Sequence, residues 1–379
     1  MKNVGIICEY NPLHGGHKYM IESLKARGAE RVICLMSGNA VQRGDFAILP
    51  KEYRALSALK VGADAVFELP FPYSAGGAEF FASAGVDILS RLGVDTIAFG
   101  SETGNIEILR ELADKSLDFT PSADKSIGTA TDYFSSLGDL LSNDILGIEY
   151  LKAGKRIAPD MNFVTVKREG AGYHGEAECG AYPSATEIRR AILADDLDKY
   201  SDLQLPPESR ESIYKALEYD APVLMKNIES AILAFWRSCD AEKISVCAEC
   251  GGGVAQRLAS SAKEASSLEK MMTLAATKRY TDSRLRRAML FGMIGVTMSD
   301  LKSRVPFVNL LAANSKGIEF VSRVKDIEVV SKPSKIPDDE ASARQCELGC
   351  RLDSIYTLAM KMPQPAGHFL KQSPIVVKD

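Results

Sequence analysis

The sequence predicts an α/β protein: a doubly wound parallel sheet followed by a second, mostly α-helical domain. Three observations support this fold class. Short apolar segments alternate with longer amphipathic segments through the first half of the chain. A motif rich in glycine and histidine follows the first apolar segment, and helical spacing dominates after the Pro206-Pro207 pair. We place the boundary close to residue 200, which gives domains 1–200 and 201–379.

The elements of the first domain alternate in type along the chain. Residues 4–8 form a predicted buried strand, and residues 19–24 have the apolar spacing of a helix, which Gly28 ends. Further strands are predicted at 31–36, 65–69, 96–99 and 162–166, and further helices near 51–61, 78–92 and 145–151. Ligands of such sheets bind at the carboxyl ends of the strands.

The second domain is predicted to be helical with a small β element. Helices are expected at 212–217, 228–236 and 268–276. Strand-like segments follow at 318–324 and 328–330. No internal repeat or low-complexity tract interrupts the pattern.

Composition is that of a globular protein. A chain of 379 residues, with 46% hydrophobic and 25% charged residues, is long enough for two domains that each bury a core. We find no apolar run of membrane-spanning length and no signal peptide before the first strand, so we expect a cytoplasmic protein without membrane contact. The net charge of −4 means that any RNA contact needs a local basic patch.

The segment 8–18 carries the strongest chemical signal. His14 and His17, separated by two glycines, lie at a predicted helix start, where unpaired N–H groups and the helix dipole attract phosphate. The glycines let the backbone approach a ligand closely. Both imidazoles can donate hydrogen bonds to phosphoryl oxygens as an α-phosphate is attacked and pyrophosphate leaves. The alternative is a pair of histidines that only caps a helix or binds adventitious metal.

These residues resemble a known family. His14-Gly15-Gly16-His17 matches the HxGH motif of the nucleotidylyltransferase superfamily. Together with residues 9–14, 36–44, 99–102, 143–150 and 277–281, it is more narrowly similar to the bacterial tRNA(Met) cytidine acetate ligases over most of the chain. The resemblance implies that ATP activates acetate to acetyl-adenylate. The acetyl group then passes to N4 of the wobble cytidine of elongator tRNA(Met), giving N4-acetylcytidine.

The resemblance also implies a set of functional residues. His14 and His17 would be catalytic, with ATP as a substrate and Mg²⁺ expected alongside it. The ATP-binding residues would be Ile7, Cys8, Glu9, Tyr10, Asn11, Pro12, Leu13, His14, Gly15, Gly16, His17, Lys18, Tyr19, Met20, Gly100, Asn143, Arg168 and Arg189. No metal-binding side chains are predicted.

Four of these residues lie far along the chain and have structural alternatives. Gly100 either admits a nucleoside or is a turn glycine. Asn143 either helps to hold ATP or is an N-cap, and Asp144 stands where a second asparagine is expected. Arg168, which follows Lys167 after a predicted strand and precedes a glycine-rich segment at 170–174, suits a phosphate, although strand ends also carry solvated charges.

The last of the four opens a helix. Ser184 and Glu187 form a predicted capping box, which is structural in either interpretation. Arg189, two residues further, resembles the superfamily's arginine that holds the triphosphate.

Residues 277–287 contain five basic side chains and a tyrosine. Lys278, Arg279 and Arg284 are the predicted tRNA-binding residues, and Tyr280 is a candidate for stacking on a base. Composition alone favours a solvated helix face, whereas the family resemblance favours an RNA contact.

Eight cysteines in apparent strands and helices indicate reduced thiols rather than disulfides. Cys247 and Cys250 with Cys346 and Cys350 have spacings that a zinc site tolerates, and the sequence does not decide whether they bind metal.

Two rival functions remain at this stage. One is an adenylyltransferase that acts on a small phosphorylated metabolite, with the second domain serving oligomerisation. The other is a non-catalytic RNA-binding protein that keeps the fold. The sequence does not predict an oligomeric state.

Overall fold

The computed structural model describes residues 1–117, 142–168 and 182–377. Its strands are β1 (Asn3–Cys8), β2 (Arg31–Ser37), β3 (Ala40–Val41), β4 (Asp45–Phe46), β5 (Ala65–Leu69), β6 (Thr96–Ser101), β7 (Asn162–Lys167), β8 (Phe307–Ala313), β9 (Glu328–Val330) and β10 (Ile375–Val376). The predicted first-domain strands are all present. The glycine-rich segment 170–174 lies outside the described residues.

The helices of the first 200 residues are α1 (Gly15–Ala26), α2 (Lys51–Lys60), α3 (Ala78–Arg91), α4 (Ile106–Leu117), α5 (Ser142–Ile157) and α6 (Ala185–Ala194). Those that follow are α7 (Pro207–Tyr219), α8 (Glu229–Ser238), α9 (Ala241–Ile244), α10 (Val254–Glu264), α11 (Leu268–Ala275), α12 (Asp282–Ile294), α13 (Met298–Lys302), α14 (Ser315–Val321) and α15 (Glu340–Leu358). None of these helices is long and apolar enough to cross a membrane.

The main sheet has the strand order β10-β8-β5-β2-β1-β6-β7, and β9 pairs with β8. Strands β5, β2, β1, β6 and β7 are mutually parallel, which confirms the doubly wound prediction. The chain runs from β1 outward through β2 to β5, and then returns to the other side of β1 as β6. Beyond the carboxyl ends of β1 and β6, this reversal opens the crevice in which such sheets bind ligands.

Both faces of the sheet are covered, which explains why its strands read as continuous apolar runs. On β1, Ile7 packs with Leu35 and Phe67 on one face, among residues of α3 and α5. Its neighbour Ile6 packs on the opposite face, among residues of α1 and α2. Successive side chains point to opposite faces, so every position is apolar when both faces are buried.

One predicted strand is wrong. Residues 318–324 were expected to be extended, yet α14 occupies Ser315–Val321. Asn314 caps this helix, its Oδ1 accepting a hydrogen bond from the Gly317 N–H at 2.9 Å. The strand lies just before it as β8, which the sequence pattern did not predict and which runs antiparallel to β5. An apolar segment next to a cap was assigned to the wrong element.

The region after residue 200 contributes both a helical unit and part of the sheet. Helices α8, α10, α11 and α12 share a core around Trp236, and the helices predicted at 212–217, 228–236 and 268–276 are present. Strands β8, β9 and β10 extend the sheet. Lys51 of α2 is paired with Glu68 of β5 at 2.8 Å and with Asp353 of α15 at 3.3 Å. The boundary at 200 stays a prediction, and the sheet draws strands from both sides of it.

Candidate functional site

The turn between β1 and α1 holds the two motif histidines side by side. His14 is the N-cap of α1, and its Nδ1 accepts a hydrogen bond from the Gly16 N–H at 3.2 Å. The Nδ1 of His17 accepts one from the His14 N–H, also at 3.2 Å. The two rings lie 3.8 Å apart between centroids, and Tyr10 packs edge-on against His17 at 4.9 Å. Both histidines therefore cap the helix, and the capping hydrogen bonds fix both rings in place. Their action on a ligand stays a prediction.

This hydrogen bonding determines the tautomer of each neutral ring. A neutral imidazole has one N–H, and because both Nδ1 atoms act as acceptors, the proton is on Nε2. No described residue hydrogen-bonds either Nε2. Burial, and then the charge of Arg168, lowers the pKa of His14 to about 3, and burial likewise lowers the pKa of His17. At neutral pH both rings are uncharged hydrogen-bond donors.

The two glycines of the motif were expected to let the backbone approach a ligand, but the structure gives each of them a packing role. A Cβ on Gly15 would lie 1.9 Å from the Leu203 carbonyl oxygen, and the Gly15 N–H donates to Gln204 O at 2.8 Å. Gly15 is therefore required by close packing against the 201–205 turn rather than by a ligand. A Cβ on Gly16 would lie 3.1 Å from the His14 ring, so Gly16 leaves room for that ring.

A cavity of about 580 Å³ opens beside the histidines, at the carboxyl ends of β1, β6 and β7. The predicted ATP-binding residues that line it are Ile7, Cys8, Glu9, Tyr10, Asn11, His14, Gly16, His17, Tyr19, Met20, Gly100, Asn143 and Arg168. The crevice expected from the strand order therefore lies where the sequence motif is. A volume of this size suits a nucleotide-sized ligand.

Five of the predicted ATP-binding residues do not line the cavity. Pro12 and Gly15 lie within the turn, and Leu13 is buried in the core beneath it. Lys18 lies 3.6 Å from Glu208 of α7, in an ion pair. Arg189 donates to the Asn11 carbonyl at 2.8 Å and to Thr186 Oγ1 at 3.0 Å, and so it secures the turn from outside. The capping box of Ser184 and Glu187 is confirmed. A direct role for Arg189 toward phosphate stays a prediction.

The opposite wall of the cavity is polar and internally connected. Arg168 Nε lies 3.9 Å from Glu102 Oε1, and the Asn143 amide donates to the same oxygen. A Cβ on Gly100 would lie 3.4 Å from the Arg168 side chain, so this glycine faces the arginine. Asn143 lies inside the first turn of α5 rather than at its N-cap, so the N-cap alternative is wrong.

The unexpected Asp144 has a structural explanation. It is buried, and its carboxylate accepts hydrogen bonds from Ser101 Oγ at 2.5 Å, Glu102 N–H at 3.1 Å and Thr103 N–H at 3.2 Å. A carboxylate can accept all three, whereas an asparagine offers one acceptor oxygen. Asp144 thereby fixes the loop after β6, which includes the cavity-lining Glu102.

The sequence patterns did not identify Arg54, a buried residue that holds the backbone of segments beside the cavity. Arg54 of α2 is 1% exposed, and it donates to the backbone oxygens of Leu49 at 2.9 Å, Glu9 at 2.7 Å and Ser37 at 3.0 Å, and also to Gly38 O. The available signal was an arginine in the apolar pattern of α2. Its partners are backbone carbonyls from three separate segments, which no sequence pattern reveals.

Further cavity-lining residues were also missing from the prediction. They are Ile6, Gln42, Arg43, Phe81, Phe99, Glu102, Ser142, Leu146, Tyr150, Val166, Lys167, Tyr182, Pro183, Ser184 and Ala185. Most are carried by β6, α5, β7 and the start of α6, which follow the first motif by many residues. The Gln42 N–H donates to Glu9 Oε1 at 2.9 Å, and burial raises the pKa of Glu9.

The basic segment 277–287 is divided into free and paired cations. Lys278 and Arg279 are exposed and make no ion pair with any described residue. Arg284 and Arg287 instead lie 3.2 and 3.1 Å from the Glu249 carboxylate. Tyr280 is only 9% exposed and donates to Gly252 O at 2.8 Å, while Arg279 and Arg284 stack over its ring. The tyrosine therefore supports the fold and is not available for a base to stack on.

The cysteine pairs do not assemble into a zinc site. Cys250 is buried and donates to Ala288 O at 3.2 Å, while Cys346 and Cys350 lie 3.8 Å apart on α15. Within the described ranges, no group of three or more His, Cys, Asp or Glu side chains gathers as metal ligands. The seven described cysteines are free thiols, and burial raises the pKa of Cys250 to about 12.

Known proteins share this whole architecture. A model of the HIGH Nucleotidyl Transferase family matches residues 1–368. The tRNA(Met) cytidine acetate ligase of Acetivibrio thermocellus is 32% identical, with all of both chains covered. The ligase of the same name from Caldanaerobacter subterraneus subsp. tengcongensis is 33% identical over 95% of this chain and 96% of its own.

Solved structures agree with the sequence relatives. The crystal structure of Thermotoga maritima TmcAL bound with alpha-thio ATP superposes with a TM-score of 0.88 at 25% identity and covers all of both chains. The apo form of the same protein gives a TM-score of 0.85 at 27% identity, again over all of both chains. The resemblance stated from the sequence motifs is confirmed.

Proposed function

We propose, from the premise that the chain belongs to the tRNA(Met) cytidine acetate ligases of the HIGH nucleotidyl transferase family, that it activates acetate with ATP and acetylates the wobble cytidine of elongator tRNA(Met). In the first step an acetate oxygen bonds to the α-phosphorus of ATP and the bond to pyrophosphate breaks. In the second, cytidine N4 attacks the acetyl carbon, AMP leaves with the C–O electron pair, and N4 loses a proton.

The observation that carries the proposal is the pair of Nε2–H donors on His14 and His17, to which no described residue is hydrogen-bonded. Both border the cavity, both are locked by backbone hydrogen bonds, and both are neutral. Preorganised donors stabilise charge that develops on a phosphoryl group without reorganising at the moment of reaction. Their neutrality matters because burial disfavours a cationic ring, whereas an N–H donor remains effective.

In this proposal, the other cavity residues bind different parts of the nucleotide. Lys167 and Arg168, at the carboxyl end of β7, supply positive charge for the triphosphate. Gly100 and Asn143 border the space for the adenosine, next to the ring of Phe99. Arg189 acts through the turn, because it fixes Asn11 rather than lining the cavity.

Magnesium fits this site as a companion of the substrate. Mg²⁺ is commonly bound by substrate phosphates with one or two carboxylates and several waters. Among the described residues, Glu9 and Glu102 are the carboxylates that line the cavity, and they would hold the ion. Bound there, it would neutralise part of the triphosphate charge.

A second substrate class, a small phosphorylated metabolite, would use the same donors and ATP. We favour tRNA because the relatives of similar length carry that substrate in their names and because Lys278 and Arg279 are exposed and form no ion pair with a described residue. Because the proposed substrate is a tRNA, we also propose that the protein is cytoplasmic.

The test follows radiolabelled acetate. Label should join elongator tRNA(Met) only when ATP is present, and acetyl-CoA should not replace acetate plus ATP. A tRNA with uridine at the wobble position is the matched control, because it lacks the accepting amine. Equal labelling of the uridine variant, or transfer from acetyl-CoA alone, would refute the proposal. Adenylylation of a phosphorylated metabolite without tRNA labelling would replace it with the rival.

A further inference from the structure

The β3–β4 hairpin connects the cavity to the basic segment. Strands β3 and β4 pair antiparallel around a turn that contains Gln42, Arg43 and Gly44. On one side, Gln42 and Arg43 line the cavity, and the Gln42 N–H is bound to the Glu9 carboxylate. The Ile48 N–H, just beyond β4, donates to Asn11 Oδ1 at 2.8 Å. The hairpin is therefore tied to the same turn that carries His14.

The other side of the hairpin rests on α12. A Cβ added to Gly44, whose φ is +72°, would lie 2.4 Å from the backbone nitrogen of Arg287. Arg286 lies 3.7 Å from Asp45 and 2.7 Å from Asp282. The start of α12 is directly continuous with Lys278 and Arg279. One small hairpin thus borders the cavity on one side and contacts α12 at Arg286 and Arg287 on the other.

Arg43 differs from the other arginines of this region. Arg284, Arg286 and Arg287 are each paired with a carboxylate. Arg43 is exposed at the hairpin turn and makes no hydrogen bond or ion pair with any described residue. An unpaired guanidinium at the edge of a cavity is suited to a phosphate, which it can bind through two parallel N–H donors.

The proposed reaction indicates which phosphate Arg43 would contact. A base that reacts inside a protein cavity has to leave its stack, and its own backbone phosphates then stay at the cavity mouth. We propose that Arg43 binds the RNA phosphate adjacent to the acceptor nucleotide, so that the hairpin is the entrance by which the tRNA strand passes from Lys278 and Arg279 to the cavity. This inference rests on the proposed function and adds a positioning residue to it.

The experiment compares Arg43→Ala and Arg43→Lys with the wild-type protein. Arg110→Ala is the matched control, because Arg110 is exposed on α4 and lines neither the cavity nor the hairpin. Equilibrium binding of unmodified elongator tRNA(Met) is measured over a salt series, and acetate-dependent ATP–pyrophosphate exchange is measured without tRNA. We expect Arg43→Ala to weaken tRNA binding about tenfold and to reduce the log–log salt slope by about 0.7, the value for one single-strand contact. Arg43→Lys should keep the slope, since it keeps the charge.

The outcomes separate this inference from the proposed function. An unchanged salt slope in Arg43→Ala, or a KM for ATP that rises as much as the tRNA Kd, overturns the role of Arg43. The second result would assign Arg43 to the triphosphate instead. Wild-type tRNA binding without acetate-dependent exchange overturns the proposed function but not the phosphate contact. Absence of tRNA binding by the wild-type protein overturns both.

Discussion

The histidine turn and the basic segment 277–287 are both dense clusters of functional residue types in the sequence. Their side chains differ in the partners that the fold gives them. At the turn, the backbone satisfies one nitrogen of each imidazole, and the other has no hydrogen-bond partner in the described part of the chain. In the basic segment, Glu249 pairs with Arg284 and Arg287, and two guanidiniums cover Tyr280. Within that segment, Lys278 and Arg279 are the cations that form no ion pair with any residue the structure describes.

The difference shows how far a local sequence pattern can be trusted. The partners of His14 and His17 are backbone groups within three residues, so the motif contains its own structural context. The partner of Arg284 and Arg287 is a carboxylate more than thirty residues away. A run of charges therefore indicates a charged surface only after the long-range partners are known.

The largest effect is expected at the histidines. We predict that His14→Ala or His17→Ala lowers the rate of acetate-dependent adenylate formation about 100-fold or more, because each removes a preorganised donor to the developing phosphoryl charge. Adenylate formation and circular dichroism are measured together. His368→Ala is the control, since His368 lies outside the cavity. Rates within a few-fold of wild type, with the fold intact, would show that the free Nε2–H groups do not act on the substrate.

A smaller effect is expected on stability. Burial lowers the pKa of His14 to about 3, so below its unfolded pKa near 6.5 the unfolded chain takes up a proton that the folded protein does not. The stabilisation is complete above about pH 6.5 and is lost as the pH falls toward 3. Between about pH 7.5 and 5, we expect wild type to lose about 1 to 2 kcal/mol more unfolding free energy than His14→Gln.

Urea denaturation of the two proteins at both pH values measures this difference. The glutamine keeps a polar side chain of similar size but does not titrate. If the unfolding free energies of the two proteins depended on pH in the same way, His14 would be accessible to protons in the folded state. The histidine turn would then differ less from the exposed cations of the basic segment.

The smallest effects distinguish the cations of the basic segment. Lys278→Ala with Arg279→Ala should reduce the salt slope of tRNA binding by about 1.4, at about 0.7 for each single-strand contact. Arg284→Ala should change the slope less, because Glu249 already neutralises that guanidinium, and should instead lower thermal stability by removing a cation over Tyr280. If Arg284→Ala reduced the salt slope as much as the Lys278→Ala/Arg279→Ala double variant, Arg284 would be a tRNA-binding residue after all.

The sequence by itself determined the parallel sheet, its strand-to-helix turns and the chemistry of the turn after β1. These features depend on local patterns: apolar runs for strands buried on both faces, and caps such as Ser184 with Glu187 for helix starts. His14 and His17 could be assigned because backbone N–H groups of the same motif, those of His14 and Gly16, supply their hydrogen-bond partners. The antiparallel β8 and the helix at Ser315–Val321 were not predicted, because short apolar segments carry no mark of their type.

Only the tertiary structure decided which polar residues are free to bind a ligand. It showed that Gly15 makes room for the Leu203 carbonyl, that Asp144 and Arg54 hold loops, and that Arg189 secures the Asn11 turn. It also placed the β3–β4 hairpin between the cavity and the start of α12. Each of these roles depends on a hydrogen bond or close contact between distant segments, and the free energy of burying a polar group is fixed by the partner that the fold brings to it.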